Sequence, residues 1–257
     1  MGIARLFIGC LVFILAQGVN AHSQSAQQQI LIKNGTNRVK LVPRSEMPDI
    51  FQKRKTTSFD EDRGYEYVDD PEEILWLLNF DEENHKKNPL YTSMSDPIDT
   101  NLKKSLDLVN IGFNFKGIPF VKDSELIGFA VAGTRTAKGW TSVGEIFKSK
   151  QLGICSYLIR DAVLSESTAT LAMESVSSEV NENITVSSVI GNENYGFLYT
   201  VVWFNDFYFH RLECANNKFN PEGKEIILAL AKEIDSSVLT QLKDNNSQFL
   251  DQHHDKF

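Results

Sequence analysis

Cys155 and Cys214 are the residues of this 257-residue chain whose type and spacing point to a definite chemistry. A third cysteine, Cys10, lies in an apolar run near the N-terminus. If that run is removed, an even pair remains, and in an oxidising compartment an even pair reads as one disulfide. Closing a loop of roughly 60 residues stabilises a fold by about 4 kcal/mol in the entropy model. The alternative is two buried free thiols. Two lone cysteines make a poor metal site, and no C-x-x-C spacing supports a redox pair.

Other chemistry-bearing residues fail tests of spacing. Gly128-Phe-Ala-Val-Ala-Gly133-Thr134-Arg135 has the glycine spacing of a phosphate loop. It lacks the lysine that must follow, and its middle is strand-like. Ser142 lies among glycines between Gly139 and Gly144, but there is no G-x-S-x-G elbow and no supporting Asp/His pattern. His210 sits beside Arg211 and Glu213 in an apolar strand, the setting of a satisfied core histidine more than of a general base. His253, His254 and Asp255 belong to a polar tail that would not hold a metal rigidly. Eleven acids between Asp60 and Glu83 lack the D-x-D-x-D-G order of a calcium loop. No cofactor and no resident metal is expected. Sequons occur at Asn34, Asn183 and Asn245.

The elements that hold these residues begin with an expected signal peptide over 1–21. Arg5 supplies the positive end, Leu6 to Ala16 the apolar centre, and Val19-Asn-Ala21 the small residues before a cleavage that leaves His22 first. The apolar run is too short to span a bilayer, and no integral membrane span is expected elsewhere. Removal of Arg5 leaves 25 basic against 34 acidic residues, a net charge of −9. That acidity argues against a nucleic-acid partner or an anionic membrane surface.

Residues 22–99 read as a charged, partly disordered N-terminal arm. Seven basic residues between Lys33 and Lys55 precede the acidic block, and charge blocks of this kind are usually solvated. Within the arm, 71–79 reads as a short helix capped by Asp70. Ile74, Leu75, Trp76 and Leu78 make it apolar almost all round. Such a helix must dock, either on its own domain or on a partner, and those four residues are the candidate partner-docking surface. Thr100 is expected to cap a second helix carrying Leu102, Leu106 and Val109.

Residues 100–240 are expected to form an α+β domain and 241–257 a flexible tail. The fold class is α+β: an antiparallel sheet with a C-terminal hairpin, packed by a C-terminal helix, plus the extended arm. Gly196 to Cys214 reads as the hairpin, turning at Asn205-Asp206. A two-residue loop there sets Phe204 opposite Phe207 and Val201 opposite His210. One face then carries Phe197, Tyr199, Val201, Trp203, Tyr208, His210, Leu212 and Cys214, too much apolar surface to leave wet. The other face is apolar near the turn but carries Thr200, Arg211 and Glu213 at its far end. Strands are also expected at 126–132, 153–159 and 184–190, while 162–180 is ambiguous. Asn220-Pro221-Glu222 starts a helix whose stripe of Ile227, Leu230, Ala231 and Ile234 should cover the hairpin, with Asp235-Ser-Ser ending it.

The run Gly196-Phe-Leu-Tyr-Thr-Val-Val-Trp203, with Leu212-Glu-Cys-Ala215 and the helix from Asn220, resembles the C-terminal part of exported proteins of Legionella-type intracellular γ-proteobacteria. The resemblance covers 153–235 and not the arm. It implies a periplasmic or secreted address and no catalytic residues. Some exported proteins of such bacteria are accessory parts of envelope-spanning secretion machinery. The expected function is therefore a non-enzymatic exported binding or assembly module with protein partners in the envelope or outside the cell. The alternatives are a secreted effector or host-surface binder, and a secreted hydrolase with dispersed catalytic residues.

Overall fold

The computed structural model describes residues 38–47, 59–60, 63–69, 72–80, 102–118 and 124–254. The expected signal, its Ala21–His22 junction, the Asp70 cap and Asp255 lie outside these residues. In chain order the elements are β1 (Val39–Val42), β2 (Phe59–Asp60), β3 (Tyr65–Tyr67), α1 (Glu72–Leu78), β4 (Ser124–Thr136), β5 (Gly139–Ser149) and β6 (Gly153–Asp161). There follow β7 (Ala169–Ala172), β8 (Ser177–Val180), β9 (Asn183–Asn192), β10 (Gly196–Phe204), β11 (Tyr208–Asn216) and α2 (Gly223–His254).

The β10–β11 hairpin lies in the middle of a sheet ordered β2-β3-β9-β10-β11-β6-β5-β4, with β8 also paired to β9. From β9 to β4 the pairing is antiparallel, as the short turns within β9–β10–β11 and within β4–β5–β6 require; β11 meets β6 without such a turn. The expectation of a purely antiparallel sheet needs correction. β3 joins β9 in parallel, and β1 and β7 form a separate parallel pair. Both parallel partners come from the N-terminal segment, far away in sequence, so no hairpin dictates their direction. The protein is mostly β with few helices, a composition compatible with α+β.

The hairpin keeps its expected faces but not its expected register. Phe204 pairs with Phe209, Trp203 with His210, Val201 with Leu212 and Tyr199 with Cys214. The turn is centred one residue later, on Asp206-Phe207. Asn205 is the reason: its Oδ1 accepts from the amides of Phe207 (3.0 Å) and Tyr208 (2.8 Å), and its own amide donates to the Tyr208 carbonyl. Moving the turn by one position shifts the pairing by two, which leaves every side chain on its original face. Phe207, expected on a face, is instead half exposed at the tip.

α2 covers the front face, with Ile227, Leu230, Ala231 and Ile234 buried in one cluster with Tyr199, Val201, Trp203 and Leu212. Asp235-Ser-Ser does not end it. The helix runs on to His254, so 241–254 are helical where a flexible tail was expected. Ser236 and Thr240 return their hydroxyls to carbonyls one turn back, at Lys232 and Ser236, and so do not interrupt the helix.

The expected helix over Leu102, Leu106 and Val109 is also overturned. Only a 3-10 turn forms, at Leu106–Leu108, capped by the Ser105 hydroxyl. Leu102 packs with Phe80, Ala130 and Ile146 in one cluster, while Val109, Phe115 and Ile118 belong to the front-face core. A helix puts residues 102, 106 and 109 on one side. An extended chain can wrap the edge of the sheet, and Lys103 exchanges backbone hydrogen bonds of 2.8 Å with Phe129 on edge strand β4 as it does so.

The reverse face is covered by pieces of the N-terminal segment and by β7. β1 and β7 lie over Val186, Val202, Phe204 and Phe209, and α1 lies over Ile190, Leu198 and Ala215. The ambiguous stretch 162–180 resolves into β7, a 3-10 turn and β8.

Cys155 and Cys214 are direct cross-strand partners on β6 and β11 and form a disulfide, both fully buried. The bond closes a 59-residue separation. The Cys155→Ala/Cys214→Ala double variant should lose about 4 kcal/mol of stability in denaturant titration. The parent protein should resist alkylation at both sulfurs until reductant is added.

Candidate functional site

Polar side chains converge under α2, on the front face near the hairpin turn. Trp203 and His210 are cross-strand partners whose rings stack at 4.6 Å, 1° from parallel. His210 Nδ1 lies 2.8 Å from the Tyr157 hydroxyl and His210 Nε2 lies 3.0 Å from Asn205 Nδ2. The tautomer follows from Asn205. Two backbone amides donate to its Oδ1, so its NH2 faces His210. His210 Nε2 must then accept, the ring proton sits on Nδ1, and Nδ1–H donates to the Tyr157 oxygen.

Asp235, from α2, is the anchor of the group. Its Oδ1 accepts from Trp203 Nε1 (3.0 Å) and Asn205 Nδ2 (3.3 Å). Its Oδ2 accepts from Asn181 Nδ2 and Asn183 Nδ2, both at 3.0 Å. Asn181 also reaches the Lys232 carbonyl, so the β8–β9 turn is fastened to the helix. A carboxyl with no exposed surface survives in a core only when donors replace water, and four do so here.

Glu145 completes the line. It stands on β5 opposite Tyr157, is 1% exposed, and its Oε2 accepts from the Ile118 amide at 3.1 Å. Burial pushes its carboxyl up to about 7, against the pull of that hydrogen bond. Burial alone drives His210 down to about 3, so its imidazole is neutral at ordinary pH. Burial, reinforced by Glu145, Asp235 and Tyr208, holds the Tyr157 hydroxyl well above its ordinary value.

Chemically, this arrangement stores protons and excludes water. Every member is 0–6% exposed except the turn asparagines 181 and 183, which leaves no open position for a reacting atom. Ser142 is likewise interior and accepts from Arg160 Nε at 3.0 Å. The phosphate-loop lookalike at 128–135 lies within β4. Among the described residues no group of three His, Cys, Asp or Glu side chains could hold a metal ion, and no helix is long and apolar enough to cross a membrane.

Of the candidate partner-docking residues, Ile74 is fully buried against the chain's own sheet, together with Leu77. Leu75, Trp76 and Leu78 are partly buried, and Trp76 meets Phe80 edge-on at 6.0 Å. The apolar face of α1 is thus spent inside the molecule, and Ile74 is not accessible to a partner. Sequence reasoning missed Asn205, Asp235, Tyr157 and Glu145 as a group. Asp235 carried a signal, a lone acid in the apolar stripe of a helix, but it also fits a helix stop.

The chain matches no protein-family model, no curated protein and no solved structure.

Asp235→Asn is nearly isosteric but turns an NH2 toward N–H donors. It should lower stability by about 3 kcal/mol in denaturant titration and shift the Trp203 fluorescence. The pH dependence has two opposing parts. His210 falls from 6.5 unfolded to about 3 folded, so its share of stability is present above 6.5 and is lost as pH falls toward 3. Glu145 rises from 4.5 unfolded to about 7 folded, so its share is present below 4.5 and is lost as pH rises toward 7. Between 4.5 and 6.5 the two slopes cancel, giving a plateau with a fall on either side. In Glu145→Gln, stability measured across that window should rise with pH instead.

Proposed function

We propose that the protein is a non-enzymatic, exported binding or assembly module acting through protein partners in the cell envelope or outside the cell. The observation that carries the reading is where the titratable side chains sit. Glu145, Tyr157, His210 and Asp235 converge in the sealed interior, with 0–1% of each exposed, rather than around a cleft. A catalytic set needs a place beside it for substrate. Here those positions are filled by Phe115, Trp203 and the side chains of α2.

The buried Cys155–Cys214 disulfide supports an oxidising address, since thiols in a reducing cytosol are kept reduced. The expected signal over 1–21 and the resemblance of 153–235 to exported proteins support the same address. The net charge supports a protein partner over nucleic acid. An accessory role in envelope-spanning secretion machinery is the finer form of this proposal.

Fractionation of cells making the full chain with a C-terminal tag tests it. The product should begin at His22, carry an intact disulfide, lie outside the cytosol, and migrate after mild cross-linking above its monomer mass. A reduced cytosolic product, or a monomer under every condition, would refute the proposal. Recovery from culture supernatant alone would favour a secreted effector.

A further inference from the structure

Glu145 is roofed by a segment that has no regular structure of its own. In Phe113–Ile118 the side chains of Phe115 and Ile118 are buried with Gly117, while Asn114 and Lys116 are exposed, so the segment is the outermost layer over the carboxyl. Gly117 passes directly above it with φ +88°, and a Cβ there would stand 3.7 Å from Glu145 Oε2. Among the described residues no strand ladder holds this strap. Its polar ties include Tyr208 Oη to the Asn114 carbonyl (3.4 Å), Gln241 Nε2 to the Gly117 carbonyl (3.0 Å), the Lys116 amide to Gln241 Oε1 (3.0 Å), and the Ile118 amide to Glu145 itself. Segments tied this sparsely open far below the cost of global unfolding.

Among the described residues, the surroundings offer Glu145 no compensating charge. Phe129 faces it from β4 and Tyr157 from β6. Beyond Tyr157 stand neutral His210, Tyr208 and the Asp235 carboxyl. Lys116, on the strap, is exposed, and Gln241 on α2 is uncharged. One amide donor does not replace the hydration of a carboxylate.

We propose that Phe113–Ile118 is a proton-gated strap, closed over Glu145 while the carboxyl keeps its proton and lifted when that proton is lost to water. Lifting hydrates Glu145 and bares the apolar undersides of Phe115 and Ile118. With the strap lifted the carboxyl titrates at its ordinary 4.5, and with it closed at about 7. The opening constant therefore rises about forty-fold from pH 5 to pH 7 and levels above that.

Hydrogen exchange of the full chain, corrected for the intrinsic pH dependence of amide exchange, tests this. The Lys116 and Ile118 amides, both hydrogen-bonded in the closed strap, should exchange about forty-fold faster at pH 7 than at pH 5, while those of Trp203 and His210 in the hairpin do not follow. Glu145→Gln keeps an acceptor for the Ile118 amide and should abolish the rise. Gln241→Ala should speed strap exchange at every pH and keep the slope. A flat wild-type strap would overturn the proposal, as would an equal rise in Glu145→Gln or a rise shared by the hairpin. The comparison of strap with hairpin in the wild type decides the matter even if Glu145→Gln does not fold.

Discussion

A single carboxylate with nowhere to find water sets the terms for the front face of this protein. Asp235 could sit in the apolar stripe of α2 only if the sheet supplied hydrogen-bond donors, and the sheet supplies them from three places. Trp203 comes from β10, Asn205 from the hairpin turn, and Asn181 and Asn183 from the β8–β9 turn. Each of these local structures is shaped by that duty. Asn181 and Glu182 take positive φ angles of 47° and 65°, conformations costly for a side chain unless its contacts compensate, and the amide of Asn181 is thereby aimed at the helix. Asn205 divides its two ends between the turn amides and the pair His210 and Asp235. The neutral, Nδ1-protonated form of His210 follows from that division.

How far the sequence could be read follows from the same constraint. The faces of the hairpin were legible because side chains alternate with a period of two, and a register shift of two preserves the alternation. The register itself was not legible. It depends on whether Asn205 occupies the turn or precedes it, which the bonds of its side chain to the turn amides and to Asp235, thirty positions on, accompany and which spacing does not reveal. The start of α2 was legible from Asn220 and Pro221, whose signals are local: the Asn220 side chain accepts from the Glu222 amide. Its end was misread because Asp235, Ser236 and Ser237 make a helix stop by propensity alone, and tertiary bonds overrule propensity here. The wrapping of 102–118 around β4 was hidden for a related reason. Leu102, Leu106 and Val109 are spaced to suit a helix that buries one side, and nothing in their spacing reveals that they belong to opposite faces of a sheet.

Polar residues on the reverse face mark the boundary between its two covers. Thr200, Arg211 and Glu213 fall between the cluster under β1 and β7 and the cluster under α1. Arg211 pairs with Glu213, whose Oε1 also accepts from Thr200 at 3.4 Å, so polar pairing runs along the strip between the two apolar clusters. The reversal from apolar to polar along one face of the hairpin, visible in the sequence as a change at its far end, thus records where one cover stops.

The two faces differ in how their covers arrive, and this bears on which part of the molecule is robust. α2 follows β11 after a short connection, so its docking closes almost no loop, and the disulfide ties β6 to β11 beneath it. The reverse face draws β1 onto β7 across 130 positions, Val39 to Ala169, and β3 onto β9 across more than 120, Glu66 to Ile190. Long closures cost more chain entropy, though the cost grows only logarithmically, and short parallel pairs return few hydrogen bonds for it. What holds these pieces is burial: Leu171 of β7 and Ile184 of β9, and Ile74 and Leu77 of α1, are almost wholly withdrawn from water. The front face therefore adds directed bonds to one carboxylate to its apolar core, while the covers of the reverse face rest mainly on apolar contact.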